Sequence, residues 1–122
     1  MANTRERPRT NTKKTAKRAG AIASAGLAPL LVNRIDGNTM SKEKLRAKPS
    51  PDSILAACRE LDLPPGAVAG FETDALGIAA GRAAELCLTV GVDRGGRAET
   101  LDAAGADRIV SDLSELLDPI LD

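Results

Sequence analysis

Lys48-Pro49-Ser50-Pro51-Asp52, with Phe71-Glu72-Thr73-Asp74-Ala75-Leu76-Gly77 placing its glutamate 24 residues beyond the lysine, is the stretch that decides how this chain reads. Ser50 is a natural N-cap and Pro51 suits a first helical position, so a helix is expected from 51, with Ile54, Leu55, Cys58 and Leu61 on one face. Pro64-Pro65-Gly66 ends it, and Ala67 to Phe71 reads as a short buried strand running into the Glu72-Thr73-Asp74 turn. A carboxylate turn at the carboxyl end of a strand is where α/β sheets hold ligands. Those carboxylates offer oxygen donors suited to Mg²⁺, and the Lys48 ammonium can neutralise a phosphoryl oxygen beside the free N–H groups of the next helix. Each signal also has an ordinary reading, the acidic turn as a helix N-cap and the lysine as a solvated side chain.

Outward from this stretch the rhythm is regular. Ala75 to Glu85 is Ala-rich and helical, Cys87 to Val92 is an apolar strand, and Arg97 to Ala104 is a helix stopped by Gly105. Arg108 to Val110 is a further strand, with Ser111 or Asp112 capping a short helix through Leu117. Strands alternating with helices predict a partial Rossmann-like α/β fold, a parallel sheet with flanking helices. Upstream, Lys13 to Ala25 is expected to be helical with Gly26 as its stop. Leu30 to Ile35 is expected as a strand ending at the Asp36-Gly37-Asn38 turn, and 38–48 as a charged loop. Residues 1–12 are polar and basic, read as a disordered tail before one domain spanning 13–122.

Charge is distributed unevenly. Residues 1–48 carry 12 Lys/Arg against 3 Asp/Glu, a net of +9, and residues 49–122 carry 5 against 14, a net of −9. A basic first half attracts phosphate backbones, stays solvated, or folds back on the acidic half. Phe71 is the single aromatic residue, so stacking platforms for nucleic-acid bases are missing and a nucleic-acid partner is not expected. No apolar run approaches the roughly 18–20 residues of a membrane span. There is no histidine, and Cys58 and Cys87 lack metal-ligand spacing. They read as packed core thiols of a cytoplasmic protein.

Lys48-Pro49-x-Pro51-Asp52 followed by Phe71-Glu72-x-x-x-x-Gly77-Ile78-x-Ala80-Gly81-Arg82 resembles the haloacid-dehalogenase-like (HAD) superfamily, and within it the β-phosphoglucomutase-like phosphatases and mutases. The similarity continues through Val90-Gly91-Val92-Asp93-Arg94-Gly95-Gly96, Ala104-Gly105-Ala106-Asp107 and Val110-Ser111-Asp112-Leu113. Ala25-Gly26-Leu27 and Ile35-Asp36-Gly37 look like the family segment that precedes its lysine. The resemblance spans about residues 20–118 and covers the C-terminal portion of such a protein.

It implies that Lys48 steadies the nucleophile and the transferring phosphoryl group, and that Glu72 is the first acid of a magnesium-binding turn. Thr73 stands where the family has its magnesium-binding aspartate and Asp74 falls one position late, so Glu72 and Asp74 are expected to hold Mg²⁺ only weakly. Thr12 and Thr15 straddle the place of the family's phosphate-binding Ser/Thr. The family's nucleophile is the first aspartate of Asp-x-Asp-Gly, and no Asp-x-Asp occurs in the 122 residues. Covalent catalysis needs that activated carboxylate beside its acid/base partner. The expectation is therefore an incomplete HAD-type core, its nucleophile strand and cap missing, from a truncated or degenerate sugar-phosphate phosphohydrolase or phosphomutase inactive by itself. The alternatives are the complementing half of a split hydrolase, or a binding module using its basic arm. The expected partners are a phosphorylated small molecule and a second copy, meeting at an exposed strand edge left by the missing strands.

Overall fold

Three of the four runs expected as strands form one parallel sheet in the computed structural model, which describes residues 21–31 and 33–117. In chain order the elements are α1 (Gly37–Glu43), α2 (Asp52–Leu61), β1 (Ala69–Glu72), α3 (Ala75–Ala83), β2 (Leu88–Val92), α4 (Ala98–Ala103), β3 (Arg108–Val110) and a 3₁₀ turn, Leu113–Leu116. The sheet order is β1-β2-β3. Phe71 lies opposite Val90 and Glu72 opposite Gly91; Val92 lies opposite Val110. Parallel strands require crossovers, which α3 and α4 supply.

Small residues set the helix-to-sheet distance. Ile78, Val90, Leu101 and Thr89 are fully buried, and Val90, Val92 and Val110 form the sheet's apolar centre with Leu116 against it. A Cβ added at Gly81 would stand 2.8 Å from Thr89 Oγ1, so only glycine lets α3 lie this close to β2. Helices end alike: Lys44, Asp62 and Glu85 all take left-handed φ values of 56–61°. After each, an N–H reaches back five residues, as from Leu63 to the Cys58 carbonyl at 3.1 Å.

The N-terminal side differs from expectation. Residues 21–24 are helical and Gly26 turns the chain at φ 73°, but the rest of the helix expected from Lys13, the tail 1–12, and Thr12 and Thr15 lie outside the described residues. Among the described residues of Leu30 to Ile35 no strand forms. Ala28–Leu30 is a 3₁₀ turn, and 31 and 33–36 are irregular and pair with no strand of the sheet. The expected 38–48 loop contains α1, because Asp36 acts as an N-cap: its carboxylate accepts from the Asn38 and Thr39 N–H groups at 3.0 and 3.1 Å. Cys58 is buried as expected, but Cys87 is exposed, just before the N-terminal end of β2. β1, which reads as a buried strand, lies instead at the exposed edge that is also expected: Phe71 is 47% exposed, and among the described residues no strand pairs with the outer side of β1. Among those residues no helix is long and apolar enough to cross a membrane.

Candidate functional site

The loop joining α1 to α2 is pinned by one ion pair. The Asp52 carboxylate accepts from the Arg46 backbone N–H at 2.9 Å, from Nε at 3.0 Å and from Nη2 at 3.3 Å. These bonds from Arg46, its side chain first, pull the Asp52 pKa from 3.8 down to about 2. The Ser50 hydroxyl accepts the Asp52 N–H at 3.2 Å, one position ahead of Pro51, which holds the cap position of α2. Within this closed loop Lys48 precedes a cis peptide to Pro49.

Glu72 closes β1, the strand end toward which Lys48 reaches. The Lys48 ammonium donates to Glu72 Oε1 at 2.7 Å, joining the two residues across 24 positions of chain. Glu72 occupies space above the first turn of α3 that exists because residue 77 is glycine: a Cβ there would collide with Glu72 Oε1 and lie 2.8 Å from its Cδ. Asp74 caps α3, its Oδ1 accepting the Gly77 N–H at 2.8 Å, so the ordinary N-cap reading of the turn holds for this residue.

Magnesium fits this turn only loosely. Both carboxylates are oxygen donors of the right kind, but one is charge-matched by Lys48 and the other bound to its own helix. Among the described residues no three Cys, His, Asp or Glu side chains gather as a metal-holding group.

The loop after β2 forms the other wall. Asp93 Oδ1 accepts from the Arg97 N–H at 2.7 Å and the Gly95 N–H at 3.2 Å, bonds that lower its pKa, that from Arg97 most. The Asp112 pKa is lowered too, chiefly by the Ser114 N–H, with a contribution from the charge of Arg94. Between the two loops lies an open cavity of about 340 Å³ lined by Thr73, Asp74, Arg94, Gly95 and Arg97. Gly77, Arg94 and Arg97 had no assigned role in the sequence. The signal for Gly77 was a glycine inside a helical run five residues beyond a strand-end acid. For the arginines it was a basic pair flanking Gly95-Gly96 at a strand end.

No family model matches the chain. A β-phosphoglucomutase of Mycobacterium tuberculosis is 43% identical over 99 residues, covering 79% of this chain and 38% of that protein. This chain is HAD-like, of the β-phosphoglucomutase kind, over part of its length. A trehalose-phosphate phosphatase of Mycobacterium leprae is 32% identical over 102 residues, 80% of this chain and 22% of that protein. A HAD-family hydrolase of Deinococcus radiodurans, solved with bound phosphate and sodium, superposes at a TM-score of 0.67. It is 28% identical and covers 81% of this chain and 44% of that one. The chain thus spans less than half the length of each of these relatives. The three-stranded parallel sheet with its helices is a partial Rossmann-like HAD fold.

Proposed function

We propose that this chain carries the lysine-and-acid half of a HAD-like phosphoryl-transfer site of the sugar-phosphate class, and that it is silent when alone. The observation that carries this reading is the 2.7 Å contact between Lys48 and Glu72 at the carboxyl end of β1. A lysine oriented by a carboxylate, in a loop held by Arg46 and Asp52, is a positive charge aimed at a fixed point. Such a charge stabilises the oxygens of a transferring phosphoryl group without reorganising during reaction. The sugar-phosphate class follows from relatives named for phosphoglucose and trehalose phosphate.

Silence follows from residue content. Phosphoryl transfer through an aspartyl intermediate needs a carboxylate that attacks phosphorus and a second that moves the proton, and no Asp-x-Asp pair is present in the 122 residues. Where that pair lies on another chain, the outer edge of β1 is the place for it, beside Lys48 and Glu72. Mg²⁺, when held by Glu72 and Asp74, would neutralise phosphoryl charge, and its binding is expected to be weak. Thr73→Asp is expected to tighten it in a calorimetric titration.

The test is turnover of p-nitrophenyl phosphate and a hexose 1-phosphate by the purified chain with Mg²⁺. No turnover above background is expected. Sustained turnover abolished by Lys48→Ala would overturn the silence and reveal a nucleophile among these residues.

A further inference from the structure

We propose that the cavity between the loops after β1 and β2 is a second, separate anion subsite, built from Arg94, Arg97 and the Thr73 hydroxyl, for the phosphoryl group of a small molecule. It stands on side chains other than the Lys48–Glu72 pair. The cavity, about 340 Å³, opens at the carboxyl ends of two adjacent parallel strands and is large enough for a phosphate with an organic remainder.

The sign of the ligand's charge follows from how the local charges are already used. Asp74 accepts the Gly77 N–H, Asp93 accepts from Arg97 and Gly95, and Asp112 accepts the Ser114 N–H at 2.8 Å. Each neighbouring carboxylate is thus bound to backbone donors of its own loop. By contrast, among the described residues neither the Arg94 nor the Arg97 guanidinium has an ion pair within 4.0 Å; the pairs there are Arg34–Asp36, Arg46–Asp52, Lys48–Glu72 and Arg82–Asp107. Arg94, Arg97 and Thr73 thus line the cavity with neither guanidinium held in an ion pair among the described residues, Arg94 acting on Asp112 only through its charge. The two guanidinium groups match the planar, bidentate recognition of phosphate oxygens. Gly95 adds no side chain, so the ligand approaches the loop backbone closely. The second oxygen of Asp74 is left to accept a hydroxyl of the organic part.

The test is a titration of the full chain with inorganic phosphate, followed through backbone amide shifts. Saturable shifts are expected at Thr73, Gly95, Gly96 and Arg97. The double variant Arg94→Gln/Arg97→Gln is expected to weaken this response at least tenfold, about 1.4 kcal/mol, with the Val90 and Val110 amides unmoved as a check on the core. Lys48→Gln separates the two readings: it removes any phosphate response at residues 47–50 and 72 and leaves that of the arginine loop. The proposal is overturned by the absence of saturable shifts in the loop, by shifts there that survive the double variant, or by MgCl₂ producing the same shifts as phosphate.

Discussion

Gly77→Ala is the substitution that most directly probes how this fold builds its site. Alanine inside a helix is ordinarily better than glycine by about 0.5–1 kcal/mol, because glycine has more freedom to lose on folding. At Gly77 the added methyl would collide with Glu72 Oε1, 2.8 Å from Cδ and 3.0 Å from Cβ. The carboxylate end can swing away, but the Glu72 Cβ belongs to a paired strand and cannot. Overpacking of this kind costs about 1–3 kcal/mol. Set against the helix gain, the expected net is a destabilisation of about 1 kcal/mol, within a range of roughly 0–2.5. Urea unfolding measures it, as a shift in midpoint at constant slope. Swinging Glu72 aside also breaks its contact with Lys48, so the Lys48 side-chain resonances are expected to move toward solvated values. Pairing the change with Glu72→Ala completes a cycle. The double variant is expected to be less destabilised than the sum of the singles, by about 0.5 kcal/mol or more. A Gly77→Ala chain more stable than the parent, with Lys48 resonances unchanged, would refute the packing argument.

Three other outcomes follow from particular contacts. The Thr89 hydroxyl is buried with no hydrogen-bond partner among the described residues, so Thr89→Val is expected to stabilise the chain by about 1 kcal/mol in urea unfolding; a comparable loss would show that the hydroxyl is satisfied. Asp52 has a depressed folded pKa, so its stabilising contribution is present above about pH 4 and lost as pH falls through about 2. In Arg46→Ala the guanidinium bonds are lost while the backbone N–H bond stays, so the Asp52 carboxyl carbon is expected to titrate above about 2 yet still below 3.8, and an unmoved midpoint near 2 would remove the Arg46 side chain as the cause. The outer edge of β1 exposes Phe71, with Leu76 55% and Leu88 36% exposed nearby, an apolar edge that invites pairing. Light scattering is expected to show association that grows with concentration and is reduced by Phe71→Lys, while a monomer at all concentrations would count against it.

The three strands and two crossover helices were legible along the chain because each is a local pattern: an apolar run of strand length, a breaker, then a small-residue helical run. The resemblance likewise paired Lys48 with Glu72 by order and spacing. Failures came where a local pattern depends on a neighbour. Leu30 to Ile35 has strand composition, but a strand exists only when its backbone pairs with another, and its described residues pair with none although the outer side of β1 is open. Asp36-Gly37-Asn38 has turn composition, yet the same Asp36 carboxylate that would close a turn caps α1. Cys87 belongs to an apolar run, but it lies just before the N-terminal end of β2, outside the sheet's buried centre, and is exposed. What the amino-acid order determined by itself, then, is the run of helices and three strands from Asp52 onward, and the order and spacing that single out Lys48 and Glu72. Only the tertiary structure brought Lys48 within 2.7 Å of Glu72, gave Gly77 its meaning as the space beneath that carboxylate, and set Thr73 across a cavity from Arg94 and Arg97. Parallel pairing is the reason: it gathers the carboxyl ends of strands distant in sequence, and residues on their separate loops become neighbours only after the sheet has formed.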